Sequence, residues 1–517
     1  MNFKVDKGSE AKEVELPALE LIHKLGYDYK NNSELKIEKG QSWDSRDALL
    51  YGRLRKAIET LNDLDDEEVN DAINQIHERN FARTLDPVEA NERIHMLLTG
   101  KSQANGLEQP IQVKSIDGKG NPIDKDVKLF DFENAGTKND KNDYMVTNQF
   151  KLDGLRGNHI ECDIVVFVNG IPLIIIECKK PTSIDYLQDA FDQNFDKYQQ
   201  NFPRLFFYNH LMIATCGIAA SYGTLQSGPN YYSKWTNPDP MSKDEIEKQN
   251  YEELKRLCNR TPSAQDILLS GILNKKNLLG MLENFVMYQT IGGKRVKLVA
   301  KHQQLNVVTK LTKKMKEITY ELAQQHSEEE LKEIKKGGVI WHTQGSGKSF
   351  SMIWFATQLI FEFKNPAIMI LTDRKQLDKQ IKENFEKAGY ANKVIRAKSA
   401  KHLDELLKNP QGLTITTTVQ KFLDRETGFK VEPTNKQIIV LADEAHRTQY
   451  GFTAVDMRDT MPNAIYFGFT GTPISKKDHV TVDEFGDVID KYSFMQAIND
   501  GVTLPVRHYD LLPDVYI

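Results

Sequence analysis

The stretch Gly337-Gly-Val-Ile-Trp-His-Thr-Gln-Gly-Ser-Gly-Lys-Ser349 decides how the later part of this chain is read. Val339 to Trp341 is a short apolar run with the length of a buried strand. A glycine turn follows, through Gly345 and Gly347 to Lys348 and Ser349, and Phe350 to Phe363 is apolar over the length of a helix. Strand, glycine turn and helix make a phosphate cradle. Glycines let backbone N–H groups curl round an anion, the helix amino end adds its dipole, and a lysine adds a point charge. Lys348 takes that place here, and Ser349 is placed to hold Mg²⁺. The pattern Gly-x-x-x-x-Gly-Lys-Ser/Thr is met at Gly347, Lys348 and Ser349, while His342 occupies its first glycine position. A chance glycine turn would look the same in isolation; the segments around it separate the two readings.

Downstream, Ala367-Ile-Met-Ile-Leu371, Leu413-Thr-Ile-Thr416, Gln437-Ile-Ile-Val-Leu441 and Ala464-Ile-Tyr-Phe467 are strand-length apolar runs separated by helical stretches. That rhythm, which starts near Leu298, predicts a parallel sheet covered on both faces, with ligands at the carboxyl ends of its strands. Asp443-Glu-Ala-His446 lies at such an end. Asp443 is the candidate Mg²⁺ holder beside the nucleotide, and Glu444 the residue that orients the attacking water. Phe469-Thr-Gly-Thr-Pro473 follows the next strand, either as a hydroxyl-bearing coupling segment or as an ordinary Gly-Pro turn.

Upstream, Ile164 to Val168 and Ile171 to Ile176 flank Asn169-Gly170, a pair suited to the two positive-φ positions of a type I′ hairpin. Asp163 and Glu177 stand 177 − 163 = 14 residues apart on the two strands, so antiparallel pairing can join them as a Mg²⁺-binding pair of carboxylates. Lys179 lies two residues past Glu177, on the same face. On the residues alone this is equally a solvated hairpin rim. Yet Ile171 to Ile176 are too apolar for a surface strand, and charges closing a buried strand need a reason.

The remaining chain is read more coarsely. A helix is expected from Glu15 to Gly26, two or three more between Trp43 and Gly100, and another from Ser183 to Asn201. Ile111 to Val113 and Val127 to Phe130 are expected to form a hairpin around Asp117 to Asn121. Leu211 to Thr215 reads as a strand, Ser221 to Asp239 as loop, and Ile267 to Tyr288 as mostly helical. A length of 517 residues suggests about three domains. Net charge is −5, so any nucleic-acid contact must use local basic patches rather than bulk charge. No apolar run approaches the roughly 18 residues of a membrane helix, and the start lacks a signal region, so no membrane and a cytoplasmic location are expected. Cys162, Cys178, Cys216 and Cys258 show no zinc-type pairing.

Together, His342 to Ser349, Leu371-Thr-Asp-Arg-Lys-Gln-Leu-Asp378, Thr416-Thr-Thr-Val-Gln-Lys421, Asp443-Glu-Ala-His-Arg447 and Gly468-Phe-Thr-Gly-Thr-Pro-Ile474 resemble superfamily 2 helicases. More narrowly, they resemble the motor and restriction subunit of type I restriction–modification enzymes, in which a histidine at the position of His342 is usual. Asp163 with Glu177-Cys-Lys179 resembles the Asp…Glu-x-Lys core of PD-(D/E)xK nucleases, which that family places ahead of the motor.

The resemblance implies an α/β chain in four parts. They are an endonuclease domain over 1–260 (mixed sheet, flanking helices), a helical connector over 261–297, a first RecA-like doubly wound lobe over 298–490, and over 491–517 the start of a connector to a second lobe. It implies an amino-terminal portion of a longer type I site-specific deoxyribonuclease that uses ATP and Mg²⁺. Such an enzyme translocates and cuts double-stranded DNA, with methyltransferase and specificity subunits as partners.

For single residues, the resemblance implies that Gln304 reads the adenine, that Thr343, Gly345, Ser346, Gly347, Lys348 and Ser349 cradle the phosphates, and that Arg374 and Thr418 line the DNA track. It also expects a Gln-x-x-x-Tyr pair after the nuclease strands. Gln193 and Tyr198 stand one residue further apart than that, which breaks the phase of a regular helix unless it bulges. Glu15 is either a further nuclease acid or a carboxylate favoured at a helix start.

Overall fold

The structure is a computed structural model. It describes residues 3, 8, 10–38, 46–80, 86–100, 111–154, 157–236, 244–363, 365–372, 375–386, 394–422, 428–444, 458–471 and 485–505.

Two sheets organise the described chain. The first has six strands in the order Asp28–Tyr29, Tyr144–Asp153, His159–Val168, Ile171–Cys178, Leu211–Thr215 and Ala220–Gly223. Its pairings are mixed: parallel at the first and fourth junctions, antiparallel elsewhere. The Ile171–Cys178 strand is buried along its whole length. Its residues feed two cores: Leu173, Ile174 and Ile176 belong to the one that holds Val14, Ala18 and Leu19 of the first helix, and Ile175 to the one that holds Phe191, Phe195 and Phe206. Burial on both faces explains the unbroken apolar run. The predicted hairpin is present, with Asn169 and Gly170 at φ 52° and 77°. A Cβ on Gly170 would lie 2.5 Å from Leu50 O, so the position requires glycine on two counts.

The second sheet is all parallel, with seven strands in the order Val394–Arg396, Thr414–Thr418, Ala367–Thr372, Ile438–Asp443, Ile465–Thr470, Lys336–His342 and Val488–Tyr492. Helices His302–Leu322 and Lys348–Glu362 pack together over it and share its core.

Several expectations need correction. Val488–Tyr492 pairs with the phosphate-loop strand, so a lobe boundary at 490 cuts through a strand. The expected 261–297 connector is helical only over Ala264–Ile272 and Lys275–Asn284. Val286–Ile291 and Lys294–Val299 then form an antiparallel hairpin, and the parallel lobe is entered at the His302 helix rather than at Leu298. This hairpin is bound to the first domain: Arg295 pairs with Glu92, Lys297 Nζ donates to Asn209 O at 2.7 Å, and Tyr288 OH donates to Asn91 Oδ1 at 2.6 Å. The hairpin around Asp117 uses Gln112–Ile116 and Pro122–Asp126, closer to the turn than expected. Ala220–Gly223, expected as the edge of a loop, is a strand.

Candidate functional site

The phosphate loop leaves the Lys336–His342 strand and enters the Lys348–Glu362 helix. Gly345 and Gly347 take φ values of 81° and 88°, which a side chain would resist. Gly347 caps the helix, and no side chain bonds to its amino end, which leaves first-turn N–H groups for an anion. Lys348 Nζ donates to the loop's own carbonyls, His342 O at 3.2 Å and Thr343 O at 3.5 Å. Burial holds this ammonium below its usual value, and the Glu444 and Asp443 carboxylates oppose that effect. Gln304 lies against the loop, its Nε2 donating to Gly347 O at 3.2 Å, and Gln303 reaches Ser346 O at 3.4 Å. Ser346 is buried and Ser349 half-buried at the helix start.

Asp443 ends its strand, 5% exposed, and its Oδ1 accepts the Glu444 N–H at 3.0 Å. Glu444 sits at φ 50°, an uncommon conformation for a side-chain-bearing residue and one that clusters at functional sites. The Phe469-Thr-Gly segment approaches the same loop: a Cβ on Gly471 would lie 3.0 Å from Lys348 Nζ. The sheet therefore brings the loop, the acids and Gly471 to one edge. These residues fit a nucleotide and its Mg²⁺. Thr418 ends the Thr414–Thr418 strand and is buried. Arg374, His446 and Thr472 lie outside the described residues.

The second constellation also assembles. The register Ile164↔Ile176 sets Asp163 and Glu177 opposite each other. Asp163 Oδ2 accepts the Cys178 N–H at 2.7 Å, and Lys179 Nζ donates to Glu177 Oε1 at 2.8 Å. Glu177 is fully buried, and its Oε2 has no hydrogen-bond partner. Burial first, and Asp163 second, push the Glu177 carboxyl well above its usual range. Burial pushes Asp163 up to about 6, against the pull of the Cys178 N–H. Burial would lower the Lys179 ammonium, but the Glu177 and Asp163 carboxylates outweigh it and raise it.

A buried carboxylate oxygen without a donor, beside a second carboxylate, fits a divalent cation, since Mg²⁺ is commonly held by one or two carboxylates plus water. Among the described residues no group of three or more His, Cys, Asp or Glu that could hold a metal ion is found, so Asp163 and Glu177 stand here as a pair.

Glu15 is not a helix-start carboxylate. It lies inside the first helix, at the end of a π turn over Ala11–Glu15, buried and accepting Asn148 Nδ2 at 2.6 Å. Glu10, which no motif marks, adds negative potential at Asp163 and Lys179. The helix carrying Gln193 and Tyr198 does bulge: a π turn over Phe191–Phe195 absorbs one residue and changes the phase beyond it. Tyr198 OH donates to Glu161 O at 2.9 Å, two residues before Asp163, while the Gln193 side chain lies outside the described residues. Gln149, between the pairs Asn148↔Ile164 and Phe150↔Cys162 of the same strands, holds φ 51°.

Comparison with known proteins matches both halves. Residues 7–231 match the type I restriction enzyme R protein N terminus family, and residues 303–516 match the SWI2/SNF2 ATPase family. The chain is 32% identical, over 98% of its length, to the type I restriction enzyme MjaIXP endonuclease subunit of Methanocaldococcus jannaschii. It is 31% identical, over 96% of its length, to the type I restriction enzyme HindI endonuclease subunit of Haemophilus influenzae. The chain as a whole is thus similar to type I restriction enzyme endonuclease subunits, and its two parts are similar to the R protein N terminus and to SWI2/SNF2 ATPases. It spans about half of those two relatives, 46% of each. The solved type ISP restriction-modification enzyme LlaBIII bound to DNA overlaps 40% of this chain and 16% of its own, at 14% identity and a TM-score of 0.27. The chain therefore joins a region similar to the R protein N terminus to a parallel-sheet lobe similar to SWI2/SNF2 ATPases. No helix among its described residues is long and apolar enough to cross a membrane.

Proposed function

We propose that this chain drives and cuts DNA within a cytoplasmic type I restriction–modification complex. It hydrolyses ATP to translocate double-stranded DNA and cleaves it with Mg²⁺, alongside methyltransferase and specificity subunits. The observation that carries the reading is the convergence of Asp163, Glu177 and Lys179 at the end of a fully buried strand, in a chain that also carries the phosphate loop.

In the motor, the N–H groups from Thr343 to Gly347 and the Lys348 ammonium hold the phosphates, Gln304 reads the adenine, and Ser349 with Asp443 would hold Mg²⁺. Bound there, the ion would neutralise phosphate charge. Glu444 orients the attacking water, and Thr418 and Arg374 follow the DNA track. In the nuclease, Asp163 and Glu177 would hold Mg²⁺, which supplies Lewis acidity at the scissile phosphate. Lys179 positions the water and balances charge there. We place the division between the two functional units at the segment joining Val299 to His302.

The test uses the complete subunit assembled with its partners. Lys348→Ala abolishes ATP-driven movement along DNA; continued movement would defeat the motor assignment. A wild-type complex that moves but never cuts in Mg²⁺ would indicate a motor whose first domain only docks on DNA.

A further inference from the structure

The edge strand Val488–Tyr492 carries a carboxylate that no motif marks. Asp490 is 7% exposed, and both its oxygens are engaged. Oδ2 accepts from His342 Nε2 at 2.7 Å; Oδ1 accepts from Lys310 Nζ at 2.8 Å and Asn306 Nδ2 at 3.1 Å. His342 ends the strand that launches the phosphate loop, and its carbonyl receives Lys348 Nζ. Asn306 and Lys310 belong to the helix that carries Gln304. Asp490 thus joins the start of the loop to that helix.

The same strand supplies a second joint. Tyr492 OH donates to Asp500 Oδ2 at 2.6 Å, and that oxygen lies 3.2 Å from His302 Nε2. The Tyr492 ring stands between the two histidines, at centroid distances of 5.6 Å from His342 and 6.3 Å from His302. On the helix the order is His302, Gln304, Asn306: the two joints bracket the glutamine that touches Gly347.

We infer that Asp490 is a positioning residue for nucleotide selection: by clasping the Gln304 helix to the loop strand, it lets Gln304 and Lys348 address one and the same nucleotide. The inference rests on the ATP reading above. Burial alone would raise the Asp490 carboxyl, but His342 and Lys310 outweigh burial and hold it below its usual range, and Lys310 forms an ion pair with it at 2.8 Å. Without Asp490 the helix keeps its apolar packing on the lobe, while Gln304 loses its fixed distance from the loop. The base is then read less well, and phosphate contacts made by the loop's own backbone change less.

The experiment is steady-state, DNA-stimulated hydrolysis by the complete complex, with ATP and with GTP, for wild type, Asp490→Ala and Asp490→Asn. Hydrogen bonds to charged groups are strong enough that losing the clasp raises KM for ATP by about tenfold or more. The expected pattern is that rise with kcat changed by less than about threefold, and a matching fall in the preference for ATP over GTP. Asp490→Asn keeps an acceptor for Lys310 and Asn306 and is expected to fall between the two. A folded Asp490→Ala with unchanged KM and preference overturns the inference. So does an equal loss for both nucleotides, which would place Asp490's effect on the loop alone. If Asp490→Ala does not fold, an Asp490→Asn variant with wild-type preference is the overturning result. A wild-type complex that hydrolyses no ATP removes the reading beneath the inference, and that failure is visible before any variant is made.

Discussion

Replacing Asp163 with Asn should make the protein more stable as it abolishes cutting. Asp163 is buried against a second carboxyl, and its folded-state pKa is pushed up to about 6 from the ordinary value of 3.8. The sign follows directly. Between those two values the folded chain keeps a proton that the unfolded chain has lost, so stability falls as pH rises through the window. Above about pH 6 the full cost applies, roughly 2 units at about 1.4 kcal/mol each, or ~3 kcal/mol. Asn removes the charge and retains an oxygen for the Cys178 N–H, now received at 2.7 Å. In chelator at about pH 8, the nuclease-domain unfolding transition of Asp163→Asn should rise by several degrees, at about 2–4 °C per kcal/mol for a domain of this size. That advantage should shrink as pH is lowered through about 6 toward 4. Added Mg²⁺ should raise the wild-type transition and not that of the variant, because only the wild type binds it in the folded state. The assay is differential scanning calorimetry across pH, with and without Mg²⁺. An Asp163→Asn protein less stable than wild type at about pH 8, or one that Mg²⁺ stabilises equally, refutes this reasoning.

Three further outcomes are expected. Burial lowers the Lys297 ammonium to about 7, and its bonding partner is the Asn209 carbonyl, which Asn91 also serves at 2.8 Å. Wild-type stability should therefore climb with pH from about 7 to about 10, and Lys297→Met should be more stable by up to ~5 kcal/mol at or below pH 7, with the gain fading in alkali; pH-dependent denaturant unfolding checks this. Gly170→Ala should cost about 2 kcal/mol or more, from a positive φ and a Cβ 2.5 Å from Leu50 O, measured by the same unfolding. Gln304→Ala should reduce the preference for ATP over GTP in steady-state hydrolysis, because the amide against Gly347 is lost.

What could be read from the sequence was whatever local chemistry dictates. Asn169-Gly170 specifies a hairpin wherever it lies between apolar runs, but its tight register alone would set Asp163 across from Ile176; the irregularity between Val166 and Phe167, which no local signal marks, shifts the pairing by one residue and brings Glu177 there. The glycine loop specifies its own positive-φ positions. Longer-range features left weaker traces. The Tyr144–Asp153 strand is rich in polar residues and was not anticipated; its first five residues are buried because the sheet surrounds them. The hairpin Val286–Val299 follows a helix of similar apolar content, so the change of period at Phe285 is hard to see. The π turns at Ala11–Glu15 and Phe191–Phe195 depend on packing against the sheet, although the extra residue between Gln193 and Tyr198 hinted at the second. Asp490 could not have been found locally: its partners are 184, 180 and 148 residues away.

The proposed function puts two phosphate chemistries in one chain, and these must then be separable by single residues. The most direct measurement follows ATP hydrolysis and DNA strand cutting together, in one reaction with the complete complex, for wild type and Glu177→Ala. The prediction is wild-type ATP hydrolysis with no cut DNA. Continued cutting by Glu177→Ala, or loss of both activities in a properly folded variant, would contradict it.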